Sequence, residues 1–330
     1  MTELTVESTR GDIVESVHRV SVAVVTDSYD LMAHSGDPDL VTFSRSAAKP
    51  FQALPLVEDG VCGHFDISPK ELAIACASHS SEKSQVELVR ALLERIGCSE
   101  DDLACGPHRQ LALTFAVPSL DSATLEPPSP VASNCSGKHT GMLALALHNG
   151  WDIQGYQLPH HPVQRRVKRE LAGWAGMDET EIVEGVDGCT VVAFALPLSR
   201  LALAVARLAV SDREAPRRIV SAMLEYPYLA AGTRRLCTEL MQTYTGRVLA
   251  KVGAEGVYLA AVPERRLGIA LKVQDGNHRA AMVAILAILE QLQLDPAPST
   301  MLPQFMEMPV LDSRGRPVGQ LRPAGRLAFD

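Results

Sequence analysis

Residues 251–292 read KVGAEGVYLAAVPERRLGIALKVQDGNHRAAMVAILAILEQL, and this stretch decides the fold class. Aliphatic and β-branched residues crowd 251–262 and again 267–273, and Pro263-Glu264-Arg265-Arg266 divides them as a turn. Asp275-Gly276-Asn277 marks a second turn, after which 279–292 is a long Ala/Leu/Ile helix. The start of the chain answers this pattern. Residues 12–33 carry Val20, Val22, Val24 and Val25 among polar neighbours and break at Asp27-Ser28, which predicts a strand pair. Two early strands, two late strands and a closing helix predict a sheet built from both ends of one α/β domain.

The middle reads as helical. Ser68-Pro69-Lys70-Glu71 has the spacing of a capping box with proline at the first helical position. From Ser81, the residues Val86, Val89, Leu92, Leu93 and Ile96 keep helical spacing until Gly97 ends the run. Residues 162–174 and 215–225 look similar, 142–148 predicts a further helix, and Glu126-Pro127-Pro128-Ser129-Pro130 is a loop. No repeat, low-complexity tract or linker interrupts the chain, so residues 1–330 are expected to form a single domain.

Composition limits the function. The chain has 330 residues, is 46% hydrophobic and 21% charged, and can bury a sizeable core. A net charge of -8 with a pI near 5.7 argues against nucleic acid as a partner. The short basic clusters (Arg165, Arg166, Lys168 and Arg169; Arg217 and Arg218; Arg234 and Arg235) read as solvated helix faces. No apolar leader opens the sequence, and Arg200 and Arg207 interrupt the apolar stretch 191–210, so no membrane partner is expected. Seven cysteines without a disulfide spacing suit a reducing compartment, hence a cytoplasmic protein. No phosphate-cradling glycine loop is present, so no nucleotide cofactor is expected.

Four segments hold reactive groups. Ser46-Ala47-Ala48-Lys49 puts a serine and a lysine three apart, on one face if helical, and a neutral lysine can act as base toward a serine hydroxyl. No carboxylate occurs between Val41 and Val57 to pair with Lys49, and Pro50 must lie in the first turn of any helix there. The chain uses 24 arginines to seven lysines, and only lysine can give up its proton. Ser80-Ser81-Glu82-Lys83 has the same spacing in a polar helix start. Ala77-Ser78-His79-Ser80-Ser81 clusters hydroxyls that either cap the next helix or serve a site. Ser133-Asn134-Cys135-Ser136-Gly137-Lys138-His139-Thr140-Gly141 gathers a thiol, an amide, an amine and an imidazole in a predicted turn. Val186-Asp187-Gly188-Cys189 adds a carboxylate and a second thiol. Cys135 and Cys189 read either as two buried free cysteines or as part of a soft-metal site.

Together, Arg45-Ser46-Ala47-Ala48-Lys49-Pro50, Cys76-Ala77-Ser78-His79-Ser80-Ser81-Glu82, Asn134-Cys135-Ser136-Gly137-Lys138-His139 and Asp187-Gly188-Cys189 resemble the asparaginase II family, typified by the thermolabile, inducible rhizobial L-asparaginase. The resemblance runs from Arg19 to the tail at 315–323. It implies a serine β-lactamase- and glutaminase-like α/β fold, a mixed sheet with a helical region, and hydrolysis of L-asparagine to aspartate and ammonia by a homodimer. Carried over motif by motif, it implies a catalytic pair Ser46 and Lys49, a second pair Ser78 and Lys251, and zinc held by Cys135, Lys138 and Cys189 in a non-hydrolytic role. It further implies Asp187 on the substrate ammonium and Cys237 near the pocket. The substrate carboxylate is then left to Arg45 or His139. After Cys189, Thr190-Val191-Val192 departs from the family's usual proline-containing stretch. A glutaminase, a β-lactam hydrolase, or a non-catalytic zinc or amino-acid binding protein on the same fold are the competing expectations.

Overall fold

The computed structural model describes residues 3–115, 120–299 and 301–329. It comprises two compact units, residues 1–47, 196–210 and 239–330 in one and 48–195 and 211–238 in the other. The chain passes between them four times, three of these inside elements and the fourth at the end of the helix Leu198–Val210.

The first unit holds the sheet expected from the two ends of the sequence. Its strands run in the order Met308–Leu311, Pro317–Ala324, Thr5–Arg10, Ile13–Thr26, Leu267–Val273, Val257–Val262 and Leu249–Val252, and each of these pairings with a described register is antiparallel. Leu31–Ser35 pairs with Ile13–Thr26 and with the short strand Ala328–Phe329. Val257–Val262 and Leu267–Val273 are buried at almost every residue, odd and even alike, so both faces of the sheet are covered there. The helices Leu198–Val210 and His278–Gln291 pack against these strands. Gly268 permits the closest approach: a Cβ on it would lie 1.9 Å from the Ala202 carbonyl oxygen.

The late strand expected over 251–262 is two strands. Glu255 and Gly256 take positive φ (58° and 70°), and Gly253 N donates to Val257 O at 2.8 Å, closing a hairpin turn. The apolar run on both sides conceals that turn in the sequence.

The second unit is helical around Lys49–Glu58, which is buried from Lys49 to Leu56 and packs on Pro69–Ala75, Ser136–His148, Pro162–Ala175 and Glu214–Glu225. Pro50 sits in its first turn, where a missing N–H costs nothing. The expected capping box is present: Glu71 accepts the Ser68 N–H at 2.8 Å and Ser68 Oγ accepts from Glu71 N. The next helix is Lys83–Arg95, capped by Glu82 rather than begun by Ser81. The helix expected from 142 starts at Ser136, six residues earlier. Gly137 and Gly141 are therefore packing residues and not turn residues. A Cβ at Gly137 would lie 2.3 Å from the Ile74 carbonyl oxygen, and one at Gly141 would press on Leu56. Two of the expected solvated arginines are also drawn out of solvent, Arg166 half-buried and Arg235 buried. Arg166 is held by Glu58, Asp59 and Glu170; Arg235 belongs to the site described below.

Two glycine substitutions separate close packing from simple flexibility. Gly268→Ala should destabilise the protein by about 3 kcal/mol because a backbone carbonyl must move. Gly173→Ala, on an exposed helix surface with no atom within 4 Å of the new Cβ, should stabilise it by about 0.5–1 kcal/mol. Urea denaturation of both variants checks the pair, and equal effects would contradict the packing.

Candidate active site

In the second unit, the segment after helix Pro69–Ala75 is built to be held rather than to cap. Ser78 N donates to Ala230 O at 3.2 Å and His79 N to Asn134 O at 3.2 Å. Ser80 Oγ donates to Ala231 O at 2.9 Å and Ser81 Oγ to Ala132 O at 2.7 Å, so the hydroxyls fasten the segment to two other loops. Gly232 makes room for this: its φ is +135°, and a Cβ there would lie 2.2 Å from Ser80 Oγ. Ser81 takes a positive φ of 63°, an uncommon conformation for a non-glycine residue.

Lys49 reaches this segment from the start of its helix. The side chain is 0% exposed. Its Nζ donates to Ala77 O at 2.5 Å, to Ser78 Oγ at 3.2 Å and to Asn134 O at 3.5 Å. Two backbone carbonyls, one hydroxyl and the Cys135 sulfur thus surround the amine, in line with the absence of any carboxylate near it in sequence. Asn134 N in turn donates to His108 Nε2 at 2.7 Å, giving that loop histidine a structural role.

The second cluster faces the first. Lys138 Nζ lies 2.9 Å from Cys189 Sγ. Burial opposes the Lys138 charge, yet the Cys189 and Cys135 sulfurs and Asp187 hold its proton more firmly than in water. The hydrogen bond from Cys189, with the charges of Lys49 and Lys138, carries the Cys135 thiol well below its usual range against the effect of burial. Cys189 moves the other way, because it keeps the shared hydrogen and is buried. Asp187 is half-buried at the head of a tight turn in which Thr190 N donates to its carbonyl at 2.9 Å and Thr190 takes φ +80°. Among the described residues no group of three or more His, Cys, Asp or Glu is arranged to hold a metal. Lys138 supplies the missing donor: two sulfurs and one amine are a set that fits zinc, provided the amine is deprotonated.

Two buried histidines flank these groups. His79 Nε2 is 2.8 Å from Ser136 Oγ, and its Nδ1 accepts from Ser81 N. Burial first, then the charges of Lys49 and Arg235 and the nearby His108, push its pKa down to about 3. His139, on the same helix as Lys138, is likewise kept neutral by burial and by Lys138 and Lys49. Arg235 is only 3% exposed; its Nη1 donates to Ser80 Oγ at 3.1 Å, and its guanidinium lies over the Phe115 ring. Cys237 is buried at the start of helix Leu236–Thr243.

The first unit contains the remaining expected residues. Arg45 (φ +48°) and Ser46 are half-buried in the 3₁₀ turn Arg45–Ala48, one turn before Lys49 along the chain. Lys251 is buried on Leu249–Val252, and its Nζ donates to Val252 O at 3.0 Å. The turn after it lies against the residue two before Ser46, for a Cβ at Gly253 would be 2.9 Å from Ser44 O. Within the units, then, the groups brought together are Lys49 with Ser78, the 251–253 segment with Ser44, and Lys138 with Cys135, Cys189 and Asp187. His79 was legible as part of its motif, whereas Arg235, two residues before Cys237, was read as a solvated cation and is placed in the site only by the fold.

The family model described as L-asparaginase II matches residues 6–323. Among curated proteins none matches. Of solved structures, Mglu in its native form is 18% identical, with a TM-score of 0.45 over 84% of this chain and 65% of its own. A β-lactamase from Mycobacterium bovis is 15% identical, with a TM-score of 0.43 over 82% of this chain and 94% of its own. The chain therefore spans less than two thirds of Mglu. Among the described residues, no helix is long and apolar enough to cross a membrane.

The depressed pKa of His79 makes stability depend on pH. Unfolded, this imidazole protonates near 6.5; folded, only near 3. The unfolded chain therefore binds the extra proton, and the stability from this residue falls as pH drops through that window, by about 1.4 kcal/mol per unit. His79→Gln should lower stability at pH 7.5, and the gap from wild type should shrink by about 2 kcal/mol at pH 5. Urea denaturation at both pH values reads this, and a gap that does not change with pH would contradict a neutral His79.

Proposed function

The chain belongs to the L-asparaginase II family, and from that premise we propose that it hydrolyses L-asparagine to aspartate and ammonia through a serine activated by lysine. The observation that carries the reading is the fully buried Lys49 amine, 3.2 Å from the Ser78 hydroxyl, in a segment of chain that begins with Ser46. An amine with carbonyl and hydroxyl partners and no carboxylate bound to it is suited to exchange protons.

In this reading Ser46 Oγ attacks the side-chain amide carbon while neutral Lys49 takes its proton. The C–N bond then breaks, the nitrogen leaves as ammonia with that proton, and an ester to Ser46 remains. Water, giving its proton to the same amine, cleaves the ester; the amine returns that proton to Ser46 Oγ, and aspartate is freed. Ser78 and Lys251 relay protons to and from Lys49. Asp187 takes the substrate ammonium, Arg45 or His139 its carboxylate, and Cys237 lines the pocket. Cys135, Lys138 and Cys189 would hold zinc, which supplies a fixed charge that orders the thiolates and shapes the pocket. The nucleophile in this scheme remains the serine. The same reading takes the enzyme to be a cytoplasmic homodimer acting on a small molecule.

Ammonia release from L-asparagine by the purified protein tests the reading. Ser46→Ala and Lys49→Met should each lower kcat at least about 1,000-fold with the fold retained. Chelator treatment should lower activity less than either substitution. Faster turnover of glutamine or of a chromogenic β-lactam would assign the same machinery to another amide. Thermal stabilisation by asparagine without ammonia release would make the protein a binder instead, and near-normal turnover by Ser46→Ala would remove the serine from its role.

A further inference from the structure

Residues 230–235 run alongside residues 78–82 in the second unit, and the two segments are joined mostly through side chains. Ser78 N donates to Ala230 O at 3.2 Å, and Ser80 Oγ donates to Ala231 O at 2.9 Å. Glu82 accepts twice from Thr233, from its N at 2.7 Å and from its Oγ1 at 2.8 Å. Arg235 completes the junction. Its side chain is buried under the Phe115 ring, and Nη1 donates to Ser80 Oγ at 3.1 Å and to Ser78 O at 3.4 Å. A terminal guanidinium nitrogen carries two hydrogens, so one atom serves both acceptors.

The consequence falls on Ser78. Its N–H is held by Ala230 and its carbonyl by Arg235, while its Oγ accepts from Lys49 Nζ at 3.2 Å. The peptide that follows is held at its other side too, since His79 N donates to Asn134 O at 3.2 Å. One bond alone would let that peptide plane pivot; the bond from Arg235 stops the pivot. With both flanking peptide planes fixed, φ and ψ of Ser78 are fixed, and with them the direction of its Cα–Cβ bond. Holding the segment in place does not by itself call for a buried cation. The bonds to Ala230, Ala231 and Glu82 already fasten it, and taking a guanidinium out of water is costly. What arginine adds is a rigid fork that stays charged when buried and makes stronger bonds than a neutral amide.

We propose that Arg235 is a positioning residue for the amide hydrolysis, acting through Ser78: by gripping the Ser78 carbonyl it keeps the hydroxyl of that residue at the Lys49 amine. The inference rests on the reading of Ser78 as the partner of Lys49 in proton transfer. Arg235 has no contact with substrate in this role, so it governs turnover and leaves substrate binding alone.

Ammonia release from L-asparagine by the full chain, with single and double substitutions, tests this. Arg235→Gln should lower kcat about 30-fold with KM within about twofold of wild type, and Arg235→Lys should recover part of that loss. In a Ser78→Ala background, adding Arg235→Gln should change kcat by less than about twofold, because the group it acts through is already gone. A crystal structure of Arg235→Gln should show Ser78 Oγ beyond hydrogen-bonding distance of Lys49 Nζ. Additive losses in the double variant, a raised KM in place of a lowered kcat, or a Ser78 hydroxyl that has not moved would each overturn the proposal. If Ser78→Ala leaves too little activity to measure, the split between kcat and KM and the crystal structure decide. If Arg235→Gln does not fold, Arg235→Lys takes its place in every comparison; failure of both to fold would make Arg235 a folding residue only and overturn the proposal. A wild type that releases no ammonia, together with a displaced Ser78 hydroxyl in Arg235→Gln, would sink the functional reading and leave the grip of Arg235 on Ser78 standing.

Discussion

The constraint on which the second unit turns is the removal of the Lys49 amine from water. An ammonium-bearing side chain with no exposed surface must find partners or lose several kcal/mol. Here the partners are Ala77 O, Ser78 Oγ and Asn134 O, with the Cys135 sulfur beside them. Three segments distant in sequence must therefore converge on one atom: the first turn of 49–58, the stretch after helix 69–75, and the loop before helix 136–148. The close approach of Gly137 to the Ile74 carbonyl is what lets the last two meet. An apolar residue in place of Lys49 would spare the protein that desolvation, so stability does not explain the amine. Chemistry does.

Once that charge is buried, its neighbours follow electrostatically. Lys49 and Arg235 help to keep His79 neutral, and Lys49 with Lys138 does the same for His139 and lowers the Cys135 thiol. The buried charges thus move each of these groups away from its ordinary range. The same field explains why the two histidines serve as hydrogen-bonding groups and are poorly suited to act as bases: an imidazole that resists protonation to about pH 3, as His79 does, makes a weak acceptor of protons.

Much of this was legible in the sequence, and the gaps have physical causes. Strands 13–26 and 267–273 and helix 278–291 were legible because long aliphatic runs between strong turn signals leave few alternatives. Strand 5–10 reads TVESTR and was missed, since its burial depends on partners at the other end of the chain. The two interleaved units were invisible for a related reason: the chain passes between them inside the turn 45–48, the strand 192–197 and the helix 236–243, where no linker composition arises. In the site, the motifs located Lys49, Ser78, Cys135, Lys138 and Cys189. Gly137 was misread as a turn residue because glycine signals both chain reversal and close packing, and only the position of Ile74 distinguishes them. Arg235 was misread as a surface cation because arginine next to arginine usually is one.

The cluster of Cys135, Lys138 and Cys189 is best understood by counting protons. Three groups that would carry three hydrogens when isolated sit close enough for the thiols to share one, with the Lys138 amine 2.9 Å from Cys189. The tendencies diverge: Cys135 gives up its proton, Cys189 keeps its own, and Lys138 holds its charge. The deprotonation belongs to the set and not to one residue. An anionic sulfur buried beside an ammonium is stable only while both remain, so losing either partner would leave an unpaired buried charge. A soft divalent cation meets the same requirement by a different route, replacing the shared protons with one central charge. The geometry around Lys138 is thus consistent with either occupant of the centre.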